Sequence, residues 1–157
     1  MSNVDLDQGG RIPQVLRTYL GPTVGYKQTD SPVDIEFMID GSGSPPLIGD
    51  YPALLIPDWL TIYEWVILGD QSGSCVVDIW KVTLDQYLAG TVPTVANTIT
   101  GSVKPTVSGA VADSGTTLTG WTTQINQNDV IVFNIDSLTS FNWINVILRC
   151  IRNIGPA

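Results

Sequence analysis

The chain is 157 residues long, 43% apolar and only 14% charged, with a formal net charge of −8. This balance excludes a disordered chain, and the length suits one domain with its own core plus a short appendage. An acidic surface repels phosphate backbones, so nucleic acid is not an expected partner.

Residues 1–32 are read as an extended N-terminal arm. Gly9, Gly10, Pro13, Gly21, Pro22, Gly25 and Pro32 interrupt any periodic run, yet apolar residues persist, among them Ile12, Val15, Leu16, Tyr19 and Leu20. Such residues suit a segment that lies on its own body or on a neighbour, and these five are the expected anchoring residues. The opening MSNVDLDQGG lacks the basic and apolar regions of a signal peptide. No apolar run reaches the roughly 18 residues that would cross a bilayer. The expectation is a protein made in a cytoplasm and not inserted into a membrane. Charge is unevenly spread. Residues 1–29 set Asp5 and Asp7 against Arg11, Arg17 and Lys27, whereas residues 30–148 set 13 acids against Lys81 and Lys104.

From residue 33 the period becomes two. Val33, Ile35, Phe37 and Ile39 alternate with Asp34, Glu36, Met38 and Asp40, the pattern of a half-buried strand. Further strands are expected at 53–57, 62–68, 74–81, 95–100, 116–122, 129–136 and 143–152, with single helical turns at 83–89 and 108–113. Turn clusters such as GDQSGS and NQND are expected to bound them. About eight short strands predict an all-β fold, a jelly-roll-like antiparallel β-sandwich over residues 33–157, with a barrel as the competitor.

In the last strand Ile144, Val146, Leu148 and Cys150 form one face, which leaves Trp143, Ile147 and Ile151 on the other. Ile131, Phe133 and Ile135 likewise leave Val130 and Val132 outward. Apolar residues on both faces predict a covered second face, closed by the arm, by a loop or by another subunit. Val132, Trp143, Ile147 and Ile151 are the expected oligomer contact, with a homotrimer as the expected assembly.

The chain has no histidine and two cysteines, Cys75 and Cys150, without CxxC spacing. This excludes Ser-His-Asp and Cys-His catalysis and the usual zinc sites. No phosphate-cradling glycine motif is present, and no cofactor or metal is expected. The loop Asp70-Gln-Ser-Gly-Ser lacks the further acids of a calcium loop and reads as a hairpin turn. The cysteines are expected as reduced core thiols, a disulfide being the alternative. Paired carboxylates would be the remaining catalytic route. Asp78 shares a strand face with Trp80 and could hold a sugar, but the plainer reading is an outer face with Asp78 solvated or bonded to a neighbouring strand. The chain is not expected to be an enzyme.

Four segments together resemble a β-sandwich module of tailed-phage virion surface proteins. They are IYEWVILGDQSGSCVVDIW (62–80), TITGSVKPTVSG (98–109), LTGWTTQINQNDVIVFNIDS (118–137) and NWINVILRC (142–150). YLGPTVGY (19–26) resembles a linker at the start of small phage proteins. The resemblance covers about residues 33–152 and implies a domain on the virion exterior, carried on tail fibres or similar appendages. It supplies no catalytic residues. Val132, Asn145 and Ile147 stand where the module has polar, Thr or Ser residues, which makes the outer face more apolar. The expected role is a capsid cement or decoration protein, assembled in the host cytoplasm and partnered with itself and with virion proteins such as the major capsid protein. The alternative is a tail-fibre or baseplate module that binds a host-surface glycan.

Overall fold

The computed structural model describes residues 31–155. Eight strands, all antiparallel, join into one sheet. In chain order they are β1 (Pro32–Asp40), β2 (Gly49–Asp50), β3 (Leu54–Leu55), β4 (Leu60–Thr83), β5 (Thr106–Gly115), β6 (Gln124–Ile125), β7 (Asp129–Thr139) and β8 (Trp143–Arg152). A short helix, α1 (Leu84–Leu88), follows β4, and a 3-10 turn spans Val95–Asn97. Among the described residues no helix is long and apolar enough to cross a membrane.

The 24-residue β4 is the axis of the fold. Its first half pairs with β8, from Leu60↔Arg152 to Gly69↔Ile144, and its second half with β7, from Ser74↔Thr139 to Thr83↔Asp129. Thus β8 continues along the same edge of β4 where β7 leaves off. The opposite edge takes β5, β6 and an isolated bridge from Thr98 to Trp80. Outside this ribbon, β1 pairs with β8, while β2 and β3 pair with β7.

So long a sheet cannot stay flat, because strand twist accumulates. It curls into a half-barrel whose two ends face each other. The Phe37 ring of β1 stacks on the Phe133 ring of β7 with centroids 5.0 Å apart, although the two strands belong to opposite ends. Ile35, Ile39, Ile62, Ile67, Ile144, Val146 and Leu148 from one end meet Val77, Ile79, Ile131, Phe133 and Ile135 from the other in one core. Each such side chain contributes about 1.5–3 kcal/mol by leaving water.

The expected antiparallel all-β fold is present, and the alternation in β1 and β8 places the core faces where the sequence indicates. Four local expectations are corrected. GDQSGS makes no hairpin: β4 runs straight through it, with register shifts against β5 between Leu68 and Gly73 and between Gly73 and Cys75. Its glycines serve packing instead. A Cβ on Gly69 would overlap the buried Phe141 ring, and one on Gly73 would lie 2.6 Å from the Thr139 carbonyl oxygen. Residues 108–113 belong to strand β5 rather than a helical turn, and 116–122 are irregular. Residues 95–100 form the 3-10 turn and the bridge rather than a strand. At 83–89 the expected helical turn is α1, closed by a reciprocal cap. Thr83 Oγ1 accepts from the Gln86 N–H, and Gln86 Oε1 accepts from the Thr83 N–H.

Candidate functional site: an apolar outer face

Asp78 comes first, because the sequence singled it out with Trp80. The carboxylate is fully buried rather than solvated. Its Oδ1 accepts from Thr98 Oγ1 (2.5 Å), Thr100 Oγ1 (2.7 Å) and the Ile79 N–H (2.8 Å). Its Oδ2 accepts from Trp80 Nε1 (2.9 Å) and lies 3.0 Å from Lys104 Nζ. Lys104 also reaches Asp136 Oδ2 at 2.6 Å, and Asp136 Oδ1 accepts from Asn134 Nδ2 at 2.7 Å. Burial pushes the Asp78 carboxyl up, but the donors from Thr98, Thr100, Trp80 and Lys104 together hold it below its ordinary value.

This is a closed lock rather than a binding surface. Every lone-pair direction of Asp78 meets a donor, which leaves nothing to offer a sugar. The segment 98–104 supplies three of the donors and closes over the Asp78 carboxylate. Beside it Val132, paired with Trp80, is only 4% exposed, and Val82 and Val130 are also buried. Val132 therefore lies under its own chain and not on an open outer face, which corrects its expected place in an oligomer contact. Segments 62–80, 98–109 and 118–137 converge here. Asp78 and Trp80 come from the first, Thr98, Thr100 and Lys104 from the second, and Asn134 and Asp136 from the third. Trp121 of LTGWTT adds a bond from its Nε1 to the Val103 carbonyl at 2.6 Å.

Asp70 is likewise engaged. Its carboxylate accepts from the Asn142 N–H and Nδ2, both at 2.9 Å, tying β4 to the junction of β7 and β8. Among the described residues no group of three or more His, Cys, Asp or Glu side chains could hold a metal. Cys75 and Cys150 are buried free thiols. Desolvation pushes them up to about 11 and about 12 respectively, so both stay protonated near neutrality.

The open surface lies at the other end of the sheet, on the outward side of β1, β8 and the first half of β4. Strand register sets its rows: Asp40 beside Trp143; Met38, Asn145 and Leu68 across three strands; then Glu36, Ile147 and Val66. Met38 is 55% exposed, Leu68 40% and Ile151 36%, while Trp143, Ile147 and Val66 are half-buried. Trp143, Ile147 and Ile151 thus share one face, as the alternation indicated, and Met38, Val66 and Leu68 extend it. The signal for Met38 was present in the sequence as an apolar residue among the acids of β1. That for Val66 and Leu68 needed the register. Asp34, Glu36 and Asp40 form an acidic rim along β1, and all three are exposed. Arg149 bridges Glu64 (3.1 Å) and approaches Asp34 (3.8 Å), whereas Glu36 and Asp40 meet no cation among the described residues. The arm residues Ile12, Val15, Leu16, Tyr19 and Leu20 lie outside the described residues. No family model, curated protein or solved structure matches this chain.

Proposed function

We propose that the chain is a non-enzymatic structural protein on the exterior of a phage particle. It acts as a cement or decoration protein that self-associates and joins other virion proteins, such as the major capsid protein. The observation that carries this reading is the outer face of β1, β8 and β4, where exposed Met38 and Leu68 adjoin half-buried Trp143 and Ile147, with exposed Ile151 beyond the Asp34, Arg149 and Glu64 row. Exposed apolar residues clustered within a polar rim are typical of interaction sites. The phage-like segments add support, since the polar residues of three of them build the Asp78 lock that closes the other end of the sheet's outward side and leaves this end for partners.

A second reading rests on a different observation. The loop between β1 and β2 forms an open cleft of about 590 Å³, lined by Asp40, Asp50, Tyr51, Leu47 and Ile48 among others. A mixed polar and apolar concavity suits a host glycan and would fit a tail-fibre or baseplate module.

Gold-labelled antibody against the protein, applied to intact particles, separates the two. Label distributed over the head is the expected result. Label confined to the tail favours the glycan module, and particles without label overturn the virion reading.

A further inference from the structure

The described residues contain four cations, and each is already committed. Lys81 pairs with Asp129 (2.9 Å), Lys104 with Asp78 and Asp136, Arg149 with Glu64, and Arg152 with Asp58 (2.9 Å). Among the described residues the acidic rim of β1 therefore has no cation left to answer Glu36 and Asp40. The sequence holds three more, Arg11, Arg17 and Lys27, all within residues 1–30. Two of them bracket an apolar stretch in RIPQVLRTYL (11–20). That stretch carries the two properties the outer face asks for, cationic ends and an apolar middle.

We infer that residues 11–20 of one copy lie on the outer face of β1, β8 and β4 of a second copy, with Arg11 and Arg17 meeting Glu36 and Asp40. The inference rests on the self-association proposed above and names what occupies that face. Two arguments favour a segment over direct contact between two bodies. Three strands spaced about 4.8 Å apart and ten residues long at about 3.3 Å each present only some 500 Å², short of the roughly 800 Å² per partner of a standard interface. A face-to-face contact would also set Asp34, Glu36 and Asp40 of one body against an equally acidic partner, which is repulsive. A basic, apolar segment from a neighbour adds area and reverses the sign. Residues 21–31 between the segment and β1 reach at most about 40 Å, enough to pass to an adjacent copy. A contact of segment to face can be exchanged reciprocally between two copies or passed round a closed ring.

Reciprocal charge reversal in the full-length chain tests this. Sedimentation velocity at low salt is run on the wild type, on Glu36→Lys/Asp40→Lys, and on Arg11→Glu/Arg17→Glu. Each reversal should weaken association by about tenfold or more, since like charges then face each other. An equimolar mixture of the two variants should regain association between unlike chains, because each supplies what the other lacks, and assemblies with an even number of copies recover in full. If the mixture stays at monomer mass, the segment does not pass between copies and the inference falls. If neither reversal changes association while Ile147→Asp still abolishes it, the inference falls and the proposed face stands. A monomeric wild type overturns both.

Discussion

Replacing Asp78 with alanine is expected to lower the unfolding free energy by about 3–5 kcal/mol, the range for removing one partner of a buried ion pair. The loss follows from what the carboxylate leaves behind. Thr98 and Thr100 lose their acceptor, Trp80 Nε1 loses its own, and Lys104 keeps only Asp136. At about 2–4 °C per kcal/mol for a chain of this size, the midpoint should fall by about 6–20 °C. A cost below about 1 kcal/mol in urea titration would mean that the lock contributes little. The same group predicts a pH dependence. Its folded value lies below the ordinary 3.8, so its contribution is complete above that value. As pH falls through the folded value the contribution is lost, because the unfolded chain takes up the proton first. The stability gap between wild type and Asp78→Ala should therefore be constant near neutrality and shrink below about pH 4.

Truncating Phe141 to alanine should cost about 3–5 kcal/mol, as for other large-to-small changes in a packed core. The ring is fully buried and occupies the space that side chains at Gly69 and Gly73 would need. Gly69→Ala should accordingly destabilise the wild type by about 1–3 kcal/mol through overpacking. In the Phe141→Ala background the same change should cost much less, since the obstructing ring is gone. Urea midpoints of the four chains give the coupling directly. Additive costs would mean that Gly69 is required for a reason other than contact with Phe141.

These two sites also show where sequence reading ends. Strands β1 and β8 were legible because one face is core and the other is not, so apolar residues repeat every second position. The run through GDQSGS was not legible, since Gly, Asp and Ser mark a turn and a close-packed crossing equally well. Strand β5 was hidden for the opposite reason. TVSGAVADSG buries only Val107 and leaves no alternation to read. For the interaction face, Trp143, Ile147 and Ile151 followed from alternation within β8, while Val66 and Leu68 appear beside them only through cross-strand register. Val132 and Asp78 were placed outward because alternation gives two faces but not what covers each. For Asp78 the cover is Thr98, Thr100 and Lys104, brought back from about twenty residues downstream.

The central claim is that the face of β1, β8 and β4 joins copies of this chain. Light scattering on the purified full-length protein at micromolar concentration tests it most directly, with Ile147→Asp as the comparison. Ile147 is half-buried on that face, beside Glu36 and Val66, so a charge there should disturb assembly far more than the fold. The expected result is an oligomer for the wild type and a monomer with an unchanged circular dichroism spectrum for Ile147→Asp. A wild type that scatters as a monomer, with the same mass after the substitution, would contradict the account.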